Sequence, residues 1–202
     1  MFFSQNKKIS NSEKIFDIFK ENGIITVENI IDSSSIAKIK KTITTEFPKI
    51  NKIEALKLHE VGILELIFNE KVKYLINLII PDGILWHCHY IKTPSNQNKP
   101  WFNPETQYGS WHKDRAIDYK HERIDFLDVM IYLNDVGEND GAFAFLPIRP
   151  DNESDIDKSK KSSKITGPTG LGILSRVDWW HTATPNIESK DREMIRLSFA
   201  KN

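Results

Sequence analysis

The sequence predicts a mostly β protein with added α-helix: a barrel or sandwich of short strands across residues 84–199, buttressed on its outside by helices from residues 1–80. Three observations carry this. Before Pro81-Asp82-Gly83, a strong turn signal, apolar residues recur at helical spacing; after it, short β-rich runs alternate with turn residues. At 202 residues, the chain suits one well-buried core better than two, so a single domain over 1–202 is expected.

The elements follow in order. Ile15, Phe16, Ile18 and Phe19 form a helical stripe after an Asn11 or Ser12 cap, and Gly23 stands where that helix would stop. Residues 24–27 read as a strand. Ser33-Ser34-Ser35 caps a second helix carrying Ile36, Ile39 and Ile43 to about Phe47, and a third helix covers 69–79. Strands are expected over 84–92, 109–115, 126–134, 142–146, 171–177, 179–184 and 192–199. Such short strands with turn punctuation close into a barrel or stack as a sandwich. Residues 93–108, with three prolines, and 151–164, rich in Ser and Lys, read as loops; the second is either a solvated loop or a substrate lid.

Composition excludes several classes. Lys plus Arg equals Asp plus Glu at 28 each, with no basic arm or acidic tail, so neither nucleic acid nor a membrane surface is an expected partner. The lone Cys88 rules out an internal disulfide and a thiolate zinc cluster, which fits a reducing, cytoplasmic setting. No apolar run has the length of a signal peptide or a membrane span, so a soluble, unprocessed protein is expected.

The chemistry centres on Ser110-Trp111-His112-Lys113-Asp114. Side chains two apart on a strand share a face, so His112 and Asp114 can offer an imidazole and a carboxylate to one ion. The best-placed third ligand is His181. Two histidines and one carboxylate leave positions of an octahedral iron(II) open for a chelating cosubstrate and dioxygen. A bare His-x-Asp is a weak signal, but Arg192 follows His181 by eleven residues on the next expected strand, where its guanidinium could grip a carboxylate in bidentate fashion.

Five ordered segments then resemble the phytanoyl-CoA dioxygenase (PhyH-like) family of iron(II)/2-oxoglutarate-dependent oxygenases. The stretch from Phe19 through Gly23 to Val27 is similar to the family's opening helix and strand, and Tyr90-Ile91-Lys92-Thr93-Pro94 to its strand before the metal motif. Trp111-His112-Lys113-Asp114 matches the family's WHxD. The run from Tyr132 through Asn139-Asp140-Gly141 to Pro147 follows its next segment, and His181 to Asn186, Arg192 and Ile195 to Phe199 resemble its ending.

The resemblance implies a double-stranded β-helix (jelly-roll, cupin-like) fold. It implies iron bound by His112, Asp114 and His181, with Arg192 pairing the distal carboxylate of 2-oxoglutarate and Lys92 assisting the cosubstrate. It further implies hydroxylation of a small-molecule substrate with dioxygen, as 2-oxoglutarate becomes succinate and CO2. Asp114 speaks against halogenation, since halogenases of this kind carry a small residue there. Pro147 is followed by Ile148-Arg149-Pro150 where the family has Gly-Ser-His, so one pocket wall differs, and the shorter chain speaks against a bulky acyl-CoA substrate.

The remaining candidates have plainer readings. Tyr108 and Ser110 share the inner face of His112 and either touch cosubstrate or pack. His87 and His89 share a face but lack an evident carboxylate partner and read as strand residues. Trp179 shares the face of His181, and Trp180 faces away. Arg196, the rival of Arg192, reads as a structural or rim ion pair, and Asp128 and Asp135 as turn or solvent groups. Two other functions stay open: a barrel that binds metal without redox chemistry, as a ligand-binding protein or isomerase, and a hydroxylase acting on a protein or carrier-bound group.

Overall fold

The computed structural model describes residues 12–97, 111–114, 124–147 and 162–201. Helix α1 (Ser12–Asn22) ends at Gly23, whose φ of +67° is a left-handed conformation open to glycine. A Cβ there would also lie 2.2 Å from the ring of Trp179, so glycine lets the indole pack flat on the chain. Strand β1 (Ile24–Val27) follows, then α2 (Ser33–Glu46). The α2 cap is Asp32 rather than the serines: its carboxylate accepts from the Ser35 amide at 2.9 Å and from the Ser34 and Ser35 hydroxyls. Those bonds hold the Asp32 carboxyl well below its usual range.

Three elements between α2 and the third expected helix carry no strong periodic signal: β2 (Lys52–Glu54), α3 (Ala55–Glu60) and α4 (Ile63–Ile67). Helix α5 (Glu70–Ile79) is capped by Asn69, whose side chain accepts from the Val72 amide at 2.9 Å and donates to the Ile30 carbonyl at 3.0 Å. The capping residue thus also ties α5 to the turn before α2.

The strands then run β3 (Gly83–Thr93), β4 (Phe126–Tyr132), β5 (Phe143–Phe145), β6 (Ser163–Ile165), β7 (Gly172–Ser175), β8 (His181–Ala183) and β9 (Arg192–Lys201). They form two antiparallel sheets, ordered β1-β7-β4-β9-β3-β2 and β6-β5-β8. This is the expected mostly β, jelly-roll architecture with helices outside. Two differences stand out. Ser163 and Lys164, expected in a loop, are strand residues paired with Phe145 and Ala144. Of the expected 109–115 strand, the described residues 111–114 hold one isolated bridge, His112 to His181, because a lone residue pairs there before the chain bends at Asp114.

The sheet register divides the large sheet into two faces. Leu174, Val129, Leu197 and Cys88 lie side by side across β7, β4, β9 and β3, and this face packs on the helices through Phe19, Ile39, Ile63 and Ile79. Truncating such a fully buried side chain to Ala costs about 2–5 kcal/mol. The opposite face looks into the barrel, where Met130, Tyr132, Ile173 and Met194 meet Phe143 and Ile165 of the small sheet. The Tyr132 hydroxyl joins the sheets, donating to the Ile165 carbonyl at 2.9 Å and accepting from the Phe143 amide at 3.0 Å. Polar side chains on this inner face build the candidate site. Among the described residues, no helix is long and apolar enough to cross a membrane.

Candidate metal centre

His112 and His181 face each other through reciprocal backbone bonds, His112 amide to His181 carbonyl at 3.1 Å and the reverse at 3.0 Å. Asp114 is held by its amide on the Val177 carbonyl at 3.0 Å. These three bonds bring together a segment and a strand far apart in sequence, and with them the three predicted ligands. The His112, Asp114 and His181 donor atoms all lie within 4.8 Å of one another. His112 Nε2 is 3.6 Å from one Asp114 oxygen, and His181 Nε2 is 3.5 Å from the other.

The ring of His181 is fixed on both sides. Its Nδ1 lies 2.8 Å from the Trp179 carbonyl, an acceptor, so Nδ1 carries the proton and Nε2 presents its lone pair to the centre. Phe143 stacks on the imidazole at 5.4 Å and 27°. Buried Trp179 therefore serves through its backbone, while its indole packs on Gly23. Lys113 points the other way, over the Trp180 ring at 4.9 Å.

Asp114 has a cationic partner in Arg196, whose expected role is a structural or rim ion pair. Arg196 Nη2 donates to Asp114 Oδ2 and to Asp128 Oδ2. Asp128, in turn, is buried in the middle of β4 and accepts from the Ser198 hydroxyl at 2.6 Å, so it is an inward group and not the turn or solvent group expected. Cross-strand register explains the cluster: Asp128 pairs with Ser198 and Met130 with Arg196, so these side chains share the inner face. Burial works to raise the Asp114 carboxyl, but the neighbouring His181 and the charge and hydrogen bond of Arg196 outweigh it and hold the group ionised, as a metal ligand must be. Asp135, by contrast, is exposed and accepts from Thr169, as expected of a turn residue.

Arg192 lies four residues before Arg196 on the same face and is only 3 % exposed. Its Nη1 donates to the Gly141 carbonyl and its Nη2 to the Thr93 hydroxyl, both at 2.7 Å. Gly141, at φ +75°, turns its carbonyl there from a position whose Cβ would crowd Asn186 at 3.2 Å. Both acceptors are neutral, and among the described residues the Arg192 Nε has no hydrogen-bond partner. Burial pushes this guanidinium's pKa down, with no carboxylate to oppose it among the described residues. A buried, uncompensated guanidinium is costly unless an anion completes it. The donor set of the triad and this cation together fit a divalent metal and a carboxylate-bearing cosubstrate.

Lys92 does not join them. Thr93, Ile91 and His89 take the inner face of β3, so Lys92, one residue out of phase, lies on the helix side with its ammonium 3.9 Å from Asp191. Ser110 and Tyr108 fall outside the described residues, as do most of 93–108 and 151–164. His89 is a strand residue, as expected, but not a plain one. It is buried on the inner face opposite Arg196, and burial, then the nearby positive charge of Arg196, pushes its pKa down to about 3.

A scan against family models finds no match for the chain. A curated protein from Stutzerimonas stutzeri, a probable alpha-ketoglutarate-dependent hypophosphite dioxygenase, is 22% identical over 226 residues, covering 90% of this chain and 76% of that protein. Among solved structures, EctD from S. alaskensis with 2-oxoglutarate and 5-hydroxyectoine superposes with a TM-score of 0.72 at 13% identity, over 98% of this chain and 78% of that one. HygX from Streptomyces hygroscopicus with nickel and 2-oxoglutarate bound gives 0.68 at 12% identity, over 95% and 87%. These likenesses establish the fold that the two sheets describe.

Proposed function

We propose that this chain is an iron(II)/2-oxoglutarate-dependent dioxygenase of the PhyH-like kind, a single oxygenase domain that hydroxylates a small-molecule substrate while 2-oxoglutarate is converted to succinate and CO2. One observation carries the reading: two histidines and a carboxylate converge on the same inner face as a buried arginine with no counter-charge among the described residues. The relative from S. stutzeri is named for this cosubstrate, and the HygX and EctD structures hold it. EctD also holds a small hydroxylated molecule, which supports a free metabolite over a protein substrate. The single buried cysteine, Cys88, agrees with a cytoplasmic setting.

His112, Asp114 and His181 would hold the ion through two Nε2 atoms and one carboxylate oxygen. Iron(II) bound there supplies activation of dioxygen coupled to decarboxylation of the oxoacid. The chain's own work is positional. The Trp179 carbonyl keeps the proton of His181 on Nδ1, Arg196 fixes the Asp114 carboxylate through Oδ2, and the Arg192 fork receives the distal carboxylate of the cosubstrate. Met194, Ile91 and Tyr132 around that fork keep water from competing for it.

The test is anaerobic: iron(II) and 2-oxoglutarate added to the protein should give a visible metal-to-ligand charge-transfer band, and admitting oxygen should yield succinate. Absence of the band would sink the oxygenase reading and favour a barrel that binds metal without redox chemistry.

A further inference from the structure

Beyond the triad, a second group of ligand-type side chains converges on the inner face of the large sheet. His89 sits between two cross-strand partners, Arg196 of β9 on one side and Glu54 of β2 on the other. Residues directly opposite in antiparallel pairs share a face, so Glu54, His89 and Arg196 form one row. His87 joins them two residues back along β3, beside a bulge between Leu85 and His87. The donor atoms of Glu54, His87 and His89 all lie within 4.8 Å of one another. His87 Nε2 and His89 Nδ1 are only 2.7 Å apart.

Two imidazole nitrogens at that distance share a single proton, and at least one offers a lone pair. That is the arrangement a cation replaces when it binds, with the ring nitrogens parting to roughly 3.3 Å around a tetrahedral ion. The carboxylate completes the set. One Glu54 oxygen meets Lys52 at 2.7 Å, and its other oxygen remains for an ion. Among the described residues, β2 ends at Glu54, so β3 has no strand neighbour on that side beyond His89, where His87 is half-buried. The short β2 thereby offers the one ligand type that the histidine pair lacks on its own strand.

We propose that Glu54, His87 and His89 form a second divalent-cation site of the zinc class, two imidazoles and a carboxylate with a fourth position for water, which clamps β2 onto β3 beside the triad. A borderline ion is the fitting occupant, because imidazole suits zinc and its neighbours while calcium or magnesium would need an all-oxygen shell. The site does not depend on the oxygenase reading.

Zinc(II) alone is the probe, with bound metal counted per chain after dialysis and thermal stability measured alongside. Wild-type protein should hold two zinc ions, Asp114→Ala one, and His87→Ala one. Zinc should still raise the melting temperature of Asp114→Ala but not that of Asp114→Ala combined with His87→Ala. Glu54→Gln, at an exposed position that leaves folding intact, should weaken the second site at least tenfold and decides the matter if His87→Ala fails to fold. One ion in wild type and none in Asp114→Ala overturns the proposal, as does a Glu54→Gln protein that binds like wild type. Loss of the charge-transfer band with this second ion retained would instead count against the oxygenase reading alone.

Discussion

Arg192 and Arg196 stand four residues apart on one face of one strand, yet their surroundings are opposite. Arg196 meets two carboxylates, Asp114 and Asp128, and together they hold its guanidinium charged against the cost of burial. Arg192 is more deeply buried and, among the described residues, meets only a carbonyl and a hydroxyl. A cation whose charge is answered inside the protein has a structural place; one left unanswered among the described residues is costly to bury, and under the proposed function an incoming carboxylate answers it. The pairing also explains why the two cannot exchange roles. An oxoacid approaching Arg196 would have to displace the carboxylate that the triad needs.

The largest effect should come from the centre that Arg196 supports. His112→Ala or Asp114→Ala removes a ligand, and iron affinity and succinate formation should both fall by on the order of a hundredfold or more, as metal content and turnover would show. Arg192→Gln should leave iron content unchanged while raising the KM for 2-oxoglutarate by roughly 10–100-fold, the worth of a charge-assisted bond pair. Equal KM values in Arg192→Gln and wild type would reverse the assignment of the two arginines.

Arg196→Gln should behave the other way. It strips a shared cation from Asp114 and buried Asp128, so the loss should appear in stability, about 2 kcal/mol by denaturant titration, and in weaker iron binding. The KM for 2-oxoglutarate should move little. Asp128→Asn, which removes one of the two competing carboxylates, separates the structural part of this loss from the part felt by the metal.

Much of this was legible in the sequence, and the gaps have physical causes. Long periodic elements such as α2 and α5 announce themselves, because a 3.6-residue stripe accumulates over several turns. β2, α3, α4 and β6 span three to six residues each and give no such accumulation. His112 and Asp114 stood out because two-residue spacing is itself geometric. Asp128 and Glu54 did not, because an acidic residue reads as solvated until register sets a cation or a histidine pair opposite it. Lys92 shows the converse: a motif position suggested a role, and the phase of β3 turned the side chain to the other face.

The row through Arg196 also has a pH signature. In the metal-free protein, His89 is neutral when folded, its pKa depressed from 6.5 to about 3 by burial and then by Arg196. Unfolded chains take up that proton below pH 6.5, while the folded protein resists until about 3. Stability should therefore fall as pH drops through this window, by at most about 1.4 kcal/mol per pH unit for the one proton. His89→Gln should flatten the slope measured by urea unfolding between pH 6.5 and 4, and an unchanged slope would mean that His89 titrates freely.

The smallest effect tests the neutral side of the contrast. Thr93 is buried, and its hydroxyl is one of two acceptors that aim the Arg192 fork. Thr93→Val keeps the shape and removes the acceptor, so one guanidinium nitrogen loses its partner while the charge stays. A neutral bond of this kind is worth about 0.5–1.5 kcal/mol, which corresponds to a KM for 2-oxoglutarate raised roughly 2–10-fold. Thr93→Ser should restore it, because only the hydroxyl matters to the fork. If Thr93→Val instead lowered the KM, the hydroxyl would be competing with the cosubstrate for Arg192, and the buried guanidinium would be held back by its neutral partners instead of poised by them.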